Sequence, residues 1–217
     1  MTNGLDETSF APHEALARDL LPHAIQGDDG SHDLAHIHRV FRNAMRIHAS
    51  EGGDGRILAA AVLLHDCVAV EKSSPLRSQA SRLAAEKASA VLAARGWPPS
   101  DVEAVAHAIT AHSFTANITP ETLEAKILQD ADRLDAIGMV GAARCFYTAG
   151  RMGSALYDPA DPLAQAREID DRAFAIDHFA AKLFKLSDNF QTKAGSLLAR
   201  ERHDRLKTVL AQFIDEI

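Results

Sequence analysis

Apolar residues recur along this chain at steps of three and four positions, which is the spacing that places them on one face of an α-helix. The clearest example begins near Asp33 and ends before Gly52. No stretch alternates apolar and polar residues in the way that a half-buried strand does, so the pattern predicts an all-α protein. The apolar face of this example carries Leu34, Ile37, Phe41, Ala44 and Ile47.

Glycine, proline and capping residues set the predicted ends of the helices. Ser100 and Glu103 have the spacing of a capping box at the start of the fifth helix. Pro120 and Glu121 suit the first turn of the sixth. Residues 148–162, rich in Gly, Pro and Asp, are predicted to form a long surface loop. The predicted helices cover about 11–25, 33–51, 55–67, 78–95, 100–113, 119–147, 167–188 and 193–216.

Composition narrows the class of protein. The chain has 217 residues, of which 47% are hydrophobic, enough for one large core. A net charge of −7 argues against nucleic acid or an anionic membrane as partners. Two cysteines are too few for a disulfide framework, the first residues lack a secretory signal, and the longest apolar run, Ile57–Leu64, is too short to cross a bilayer. We therefore expect a single, soluble, cytoplasmic domain over 1–217.

Several costly polar residues interrupt the apolar faces of the predicted helices. Burial of an imidazole or carboxylate costs several kcal/mol unless the group is paired or binds a metal. One shared metal ion therefore explains the set better than several polar groups buried independently. His65 and Asp66 are adjacent and point about 100° apart on a helix, so a shared ion must lie between helices. The interrupting residues are His36, His65, Asp66, Asp130 and Asp132.

This arrangement resembles the metal site of the HD-domain phosphohydrolase superfamily. The resemblance runs from about His32 to Arg202 and includes "HDCVAVEK", "AHSF", "DADRLDAIG" and "DHFAAKLFKL". It is similar to a compact bacterial branch associated with nucleotide pyrophosphohydrolase activity, and it implies a single all-α bundle around a central metal site. The implied ligands are His36, His65, Asp66 and Asp132, with Asp130 as the alternative to the last.

Two imidazoles and two carboxylates form a mixed nitrogen and oxygen set that suits several divalent ions. We expect one such ion, with Mn²⁺ favoured and Mg²⁺, Fe²⁺, Co²⁺, Zn²⁺ or Ni²⁺ as alternatives. The ion is expected to lower the pKa of a water molecule and to polarise a phosphoryl oxygen, while Asp66 orients the nucleophile and accepts its proton. His112, in "AHSF", is the candidate acid for the leaving group or a contact to phosphate.

Basic residues after the His–Asp pair form the best local anion site in an acidic chain. Lys72 and Arg77 are the predicted phosphate contacts, helped by the unpaired N–H groups at the start of the next helix. An ordinary solvated loop is the alternative interpretation. Arg82 lies further into that helix and is expected on its outer face.

The resemblance implies hydrolysis of nucleoside or deoxynucleoside triphosphates to monophosphate and pyrophosphate. A nucleotide monophosphatase is the nearest alternative. A nucleotide-binding regulator with the same ligands stays open, as does an iron-dependent oxygenase, although oxygenase chemistry usually requires ligands for a second metal. A homodimer is left open, and the 148–162 loop is the candidate segment for the choice of base and sugar, from its position alone.

Other polar residues have simpler interpretations. Cys67 is expected to be a buried apolar residue and not a thiolate ligand. His107 lies five positions before His112, a spacing that suits a structural role better than a shared metal. Arg39 and Arg133 are expected to pair with acids such as Asp135 and not to touch substrate.

Overall fold

The computed structural model describes residues 7–24, 33–70, 77–113 and 116–217. Short 3₁₀ segments cover Glu7–Phe10, Arg77–Gln79 and Leu183–Ser187. Within the four described ranges the chain forms helices and no strand, which confirms the predicted all-α class. The α-helices are α1 Glu14–Ala24, α2 Leu34–Glu51, α3 Gly55–Leu64, α4 Ala80–Ala93, α5 Pro99–His112, α6 Leu123–Asp135, α7 Gly138–Met152, α8 Asp177–Ala181 and α9 Lys193–Asp215.

The chain divides into two compact units, one up to Asp132 and one from Arg133 onwards. The division falls inside the last turn of α6. The sequence left only the 148–162 loop as a place for a boundary, and the single domain over 1–217 stays a prediction.

Helix α3 is the central helix of the first unit. Every residue from Leu58 to Leu64 is fully buried, and α3 packs against α1, α2 and α5. A helix that is apolar on all sides is stable only inside a protein, which explains why α3 shows no polar face. Its carboxyl end therefore opens into the interior of this unit. None of the helices in the described ranges is both long and apolar enough to cross a membrane.

The start of α5 differs from the predicted capping box. The helix begins at Pro99, and the residue that precedes it, Pro98, makes no side-chain cap. Ser100 is already inside the helix, where its hydroxyl donates to Asp101 Oδ1 at 3.2 Å. Proline suits the first turn because its fixed φ is helical and its missing N–H would have no partner there.

The helix predicted over 119–147 is two helices. Thr122 begins α6 by accepting a hydrogen bond from the N–H of Ala125 at 3.2 Å. Ile137 is extended, with φ −127° and ψ 172°, and Gly138 has φ +73°. An extended residue followed by one in the left-handed region cannot continue an α-helix, so the chain restarts as α7.

In the second unit the helix predicted over 167–188 is wrong. Only α8 and the 3₁₀ segment 183–187 are helical there, and α7 continues five residues into the predicted loop before Gly153 ends it. Asp161 accepts hydrogen bonds from the N–H groups of residues 165, 166 and 167. Asp170 does the same for residues 172 and 173. These side chains take the N–H groups that a helix would use, so they favour turns.

Candidate metal centre

Helix α2 brings His36 into the first unit. Asp33 is the residue before the first turn, and its Oδ1 accepts a hydrogen bond from the main-chain N–H of His36 at 2.8 Å. A capping aspartate satisfies a free N–H and fixes the direction in which the helix starts. His36 lies in this fixed first turn and is 1% exposed.

Helix α3 delivers His65 and Asp66 at its carboxyl end. The helix ends at Leu64, earlier than the predicted residue 67, and the pair lies in the turn that follows. Nδ1 of His65 lies 2.7 Å from the carbonyl oxygen of Val62. Because a carbonyl can only accept, Nδ1 carries the proton and Nε2 keeps its lone pair. His65 therefore presents a metal-binding nitrogen to the interior.

Three of the four predicted ligands, His36, His65 and Asp66, converge in the first unit, and the fourth, Asp132, lies beside His36. His36 Nε2 lies 3.3 Å from His65 Nε2 and 3.6 Å from Asp66 Oδ2. His65 Nε2 lies 3.5 Å from the same oxygen. His36 Nε2 also lies 3.6 Å from Asp132 Oδ1. His36, His65 and Asp66 each offer a ligand atom within 4.8 Å of the others, and Asp132 approaches from the side of His36.

The nitrogen-to-oxygen distances fit a shared ion better than hydrogen bonds, whereas the two imidazole nitrogens, at 3.3 Å, are within hydrogen-bond distance of each other. Separations of 3.5 and 3.6 Å are longer than a nitrogen to oxygen hydrogen bond. Two atoms that each lie about 2.1 Å from one ion are about 3.0–3.6 Å apart when they subtend about 90–120° at it. The two imidazole nitrogens and the carboxylate of Asp66 are thus spaced and composed as a divalent metal requires, and Asp132, beside His36, would add a second carboxylate to the set.

His112, at the end of α5, borders the cluster. Its ring packs edge-on against the ring of His65, with the centroids 5.1 Å apart. Its Nδ1 faces the carbonyl oxygen of Ile109 at 2.5 Å, so Nδ1 carries the proton here too. Its Nε2 lies 3.9 Å from Asp66 Oδ1. Asp66 consequently turns one oxygen to the two ligand histidines and the other to His112.

Burial keeps the His65 ring neutral. Removal from water lowers the pKa of His65 below its usual 6.5; Asp66 raises it, while His112 and His36 lower it further. The ring is completely buried, so the loss of solvation outweighs the attraction of the nearby carboxylate. A neutral imidazole is the form that binds a metal ion.

The structure distinguishes the two aspartates of α6 by position. Asp132 keeps 31% of its side chain exposed and faces His36, whereas Asp130 is fully buried. Of the predicted phosphate contacts, Lys72 lies outside the described residues. Arg77 begins a 3₁₀ segment, and its side chain is likewise outside what the structure describes. Arg82 is exposed on α4.

Two of the simpler interpretations agree with the contacts. Cys67 is fully buried, its thiol donates to the carbonyl of Ala84 at 3.4 Å, and burial raises its pKa to about 11. His107 Nε2 accepts a hydrogen bond from the N–H of Glu121 at 3.0 Å, a structural contact outside the cluster.

Arg133 has main-chain partners in the structure, and its predicted pairing with an acid such as Asp135 stays a prediction. Asp135 pairs with Arg144, at 2.9 Å. Arg133 donates to the main-chain carbonyls of residues 186, 188 and 189. A guanidinium offers five donors in a fixed fork, and a run of carbonyls at the end of a 3₁₀ segment uses several of them at once.

Sequence reasoning did not identify three polar side chains that bond to the backbone beside the cluster. They come from three different helices, and two of them are as buried as His112. One signal was readable: Asn43 stands two helical turns after His36 and thus on the same face of α2. The other two residues carried no such signal, because a lysine or a glutamine on a helix is ordinary. The three are Asn43, Lys87 and Gln129.

Comparison with known proteins places this geometry in a family. The model of the HD domain matches residues 33–137. The Bacillus subtilis protein YpgQ is 33% identical over 194 residues, which cover 88% of this chain and 86% of that protein. A crystal structure of an HD-superfamily hydrolase from Bacillus thuringiensis is 32% identical and covers 94% of this chain and 97% of its own, with a TM-score of 0.72. The crystal structure of YpgQ in complex with ADP is 32% identical, with coverages of 98% and 97% and a TM-score of 0.69.

Proposed function

This chain belongs to the HD-domain phosphohydrolase superfamily, and from that premise we propose that it hydrolyses nucleoside triphosphates to monophosphates and pyrophosphate. Membership makes the protein a hydrolase of the metal-dependent kind. The bond, the substrate and the residues that act on it are the proposal.

One observation carries the proposal: nitrogen and carboxylate ligands converge in the first unit at the spacing of a metal site. We assign the ligands as His36, His65, Asp66 and Asp132, with Mn²⁺ as the favoured ion. The chemistry that a divalent ion supplies in such a set is Lewis-acid polarisation of a phosphoryl oxygen and a lowered pKa for water.

Asp66 has a second task in the proposed reaction. Its Oδ2 faces the two ligand histidines, whereas Oδ1 points towards His112. An oxygen turned away from the ligand nitrogens can orient a water molecule and accept its proton. A single carboxylate can then hold both the ion and the nucleophile.

The proton position on His112 defines what this residue can do. Because Nδ1–H already donates to Ile109, Nε2 of the neutral ring is an acceptor. It can protonate a leaving phosphate oxygen only after it has received a second proton. Asp66 Oδ1, at 3.9 Å, can supply the proton taken from water, directly after a small approach or through one water molecule. The water proton thus moves to Asp66, then to His112, then to the departing pyrophosphate.

A nucleotide substrate is supported by the relative that was crystallised with ADP. The predicted phosphate contacts, Lys72 and Arg77, follow the His–Asp pair directly in the sequence. In a chain with a net charge of −7, a triphosphate needs such a local basic segment.

The test is a product analysis on the purified protein. Elemental analysis identifies the metal, and a panel of ribo- and deoxyribonucleotides is then incubated with Mn²⁺ while phosphate and pyrophosphate are resolved. We expect pyrophosphate from triphosphates. Phosphate from monophosphates alone would instead identify a monophosphatase, and no product from any phosphate ester would contradict the hydrolase assignment.

A matched pair of variants ties the activity to the cluster. His65→Ala removes a ligand and should abolish turnover and weaken metal binding. His107→Ala removes a histidine from α5 that contacts the N–H of Glu121 and should leave turnover nearly unchanged. Equal activity of both variants would show that the cluster is not the site of reaction.

A further inference from the structure

Asn43 connects the helix of His36 to the residue before Asp132. Asn43 lies on α2 and is 7% exposed. Its Nδ2 donates a hydrogen bond to the main-chain carbonyl of Ala131, on α6, at 3.1 Å. Since Asn43 and His36 share one face of α2, this bond fixes the two ligand-bearing helices to each other beside the cluster.

Gln129 makes the corresponding connection between α6 and α5. It is 7% exposed, and its Nε2 donates to the carbonyl of Ala111 at 2.8 Å. Ala111 directly precedes His112. The side chain of Gln129 therefore fixes the main chain at the end of α5, directly before the residue that carries the His112 ring.

Lys87 holds the turn that follows the His–Asp pair. Its Nζ donates to the carbonyl of Cys67 at 2.8 Å and to the carbonyl of His23, near the end of α1, at 3.1 Å. Cys67 directly follows Asp66, and its thiol is also held by α4, through the carbonyl of Ala84. A cation suits this place because the carbonyls at helix ends carry partial negative charge.

We infer that Asn43, Lys87 and Gln129 are positioning residues of the metal centre. Each donates to a carbonyl on a helix or turn other than its own. For Asn43 and Lys87 this carbonyl belongs to a residue directly next to a proposed ligand, and for Gln129 it belongs to the residue next to His112, whose ring packs against the ring of the proposed ligand His65. A buried polar side chain needs a partner, but it could find one anywhere along a neighbouring helix. Three donors from three helices reach the same kind of atom. The inference rests on the proposed metal-dependent function.

The physical consequence is a change in ligand geometry without loss of any ligand. A metal site tolerates displacements of only about 0.5 Å, and the backbone next to each ligand determines where its side chain can reach. Loss of one donor should therefore weaken metal binding by about 10- to 100-fold, as other residues that orient ligands do. A purely structural role would lower thermal stability and leave the affinity of the folded protein unchanged.

The test measures Mn²⁺ affinity on the metal-free full chain by titration calorimetry, together with the melting temperature. Gln129→Met and Lys87→Met keep the side-chain length and remove the donors. Asn43→Leu likewise keeps the approximate size of the side chain and removes its donor. We expect about 10- to 100-fold weaker Mn²⁺ binding by the folded variants, with recovery in Lys87→Arg, which restores donors. If Lys87→Met does not fold, Gln129→Met and Lys87→Arg decide.

Arg95→Met is the matched control. Arg95 follows α4, and its guanidinium contacts Asp19 at 2.9 Å and His23 Nε2 at 2.8 Å, and neither partner is next in sequence to a proposed ligand or to His112. It should lower the melting temperature without changing Mn²⁺ affinity. Wild-type affinity in folded Gln129→Met and Lys87→Met, or an equal loss in Arg95→Met, would overturn this inference alone. A wild-type protein that binds no Mn²⁺ would instead overturn the proposed metal site on which it rests.

Discussion

Asp66, in the first unit, and Asp177, in the second, are carboxylates in opposite surroundings. Asp177 is buried, and Arg167 donates to both of its oxygens, at 2.6 and 2.8 Å. The N–H of Asp170 adds a third bond at 2.8 Å. Asp66 keeps 29% of its side chain exposed, and the imidazole nitrogens around it lie at 3.5, 3.6 and 3.9 Å.

The difference lies in what faces each carboxylate. Donors surround Asp177, so its charge is satisfied by the chain itself and its role is structural. At Asp66 the neighbouring His65 Nε2 is an acceptor, because the Nδ1–H of that ring donates to a carbonyl. Two acceptors 3.5 Å apart repel each other, and a cation between them would remove the repulsion. This contrast supports the proposed role of Asp66 as a metal ligand and distinguishes it from the structural ion pair of Asp177.

The largest expected effect is that of Asp66→Asn on catalysis. The amide keeps the shape of the side chain but cannot accept a proton, and it is a weaker ligand. We expect kcat to fall by about 10²- to 10⁴-fold, as for loss of a general base. The free energy of unfolding of the metal-free protein should change by less than about 1 kcal/mol, because the side chain is partly exposed. Steady-state assays and chemical denaturation measure the two quantities.

Asp177→Asn should give the reverse result. One partner of a buried ion pair is lost, and the remaining charge of Arg167 is left without its main partner. We expect the free energy of unfolding to fall by about 1–3 kcal/mol, as for loss of one partner of a buried hydrogen-bonded group, because Asp158, at 3.1 Å, still pairs with Arg167. The kcat of the folded protein should stay near the wild-type value. If Asp177→Asn abolished activity at full stability, the contrast between the two carboxylates would be wrong.

Sequence periodicity predicted the helices whose ends are determined locally. The bounds of α2 and α9 agree with the prediction to within a residue or two because capping residues at each start accept from the first turn. The break between α6 and α7 depends on the positive φ of Gly138. A glycine inside an apolar pattern can also continue a helix, so the sequence alone does not predict this φ. The segment predicted as a helix over 167–188 has helical spacing. Asp161 and Asp170 nevertheless accept hydrogen bonds from nearby main-chain N–H groups, which favours turns over a helix.

The ligand candidates were predictable because each is costly on an apolar face. His36 and His65 meet this criterion without any knowledge of the fold. Asn43 and Gln129 were not predictable in this way, because amide side chains are common on helices and their partners are main-chain carbonyls. A carbonyl exists at every residue, so the sequence contains no mark of which one is bound. Only the packing of α2, α5 and α6 identifies these contacts.

The smallest expected effect concerns pH and again separates the two sites. Burial lowers the pKa of His65 below 6.5, so as the pH falls below about 6.5 the unfolded chain takes up a proton that the folded chain does not. This part of the stability is present above pH 6.5 and is lost on acidification. The hydrogen bonds from Arg167 lower the pKa of Asp177 below 3.8, so its contribution is lost only as the pH falls below that value.

The metal-free protein should therefore lose stability in two separate pH windows, which denaturation at a series of pH values can resolve. Between pH 6.5 and 5 each histidine that stays neutral when folded adds a slope of up to about 1.4 kcal/mol per pH unit. His13 and His38 also have lowered pKa values, chiefly through burial, so the wild-type slope alone is not specific. His65→Gln should remove one histidine's share of the slope in this window and leave the acid limb below pH 4 unchanged, whereas Asp177→Asn should do the opposite. An unchanged slope between pH 6.5 and 5 in His65→Gln would mean that the ring is not kept neutral by burial, and the argument that His65 presents a free lone pair to a cation would fail with it.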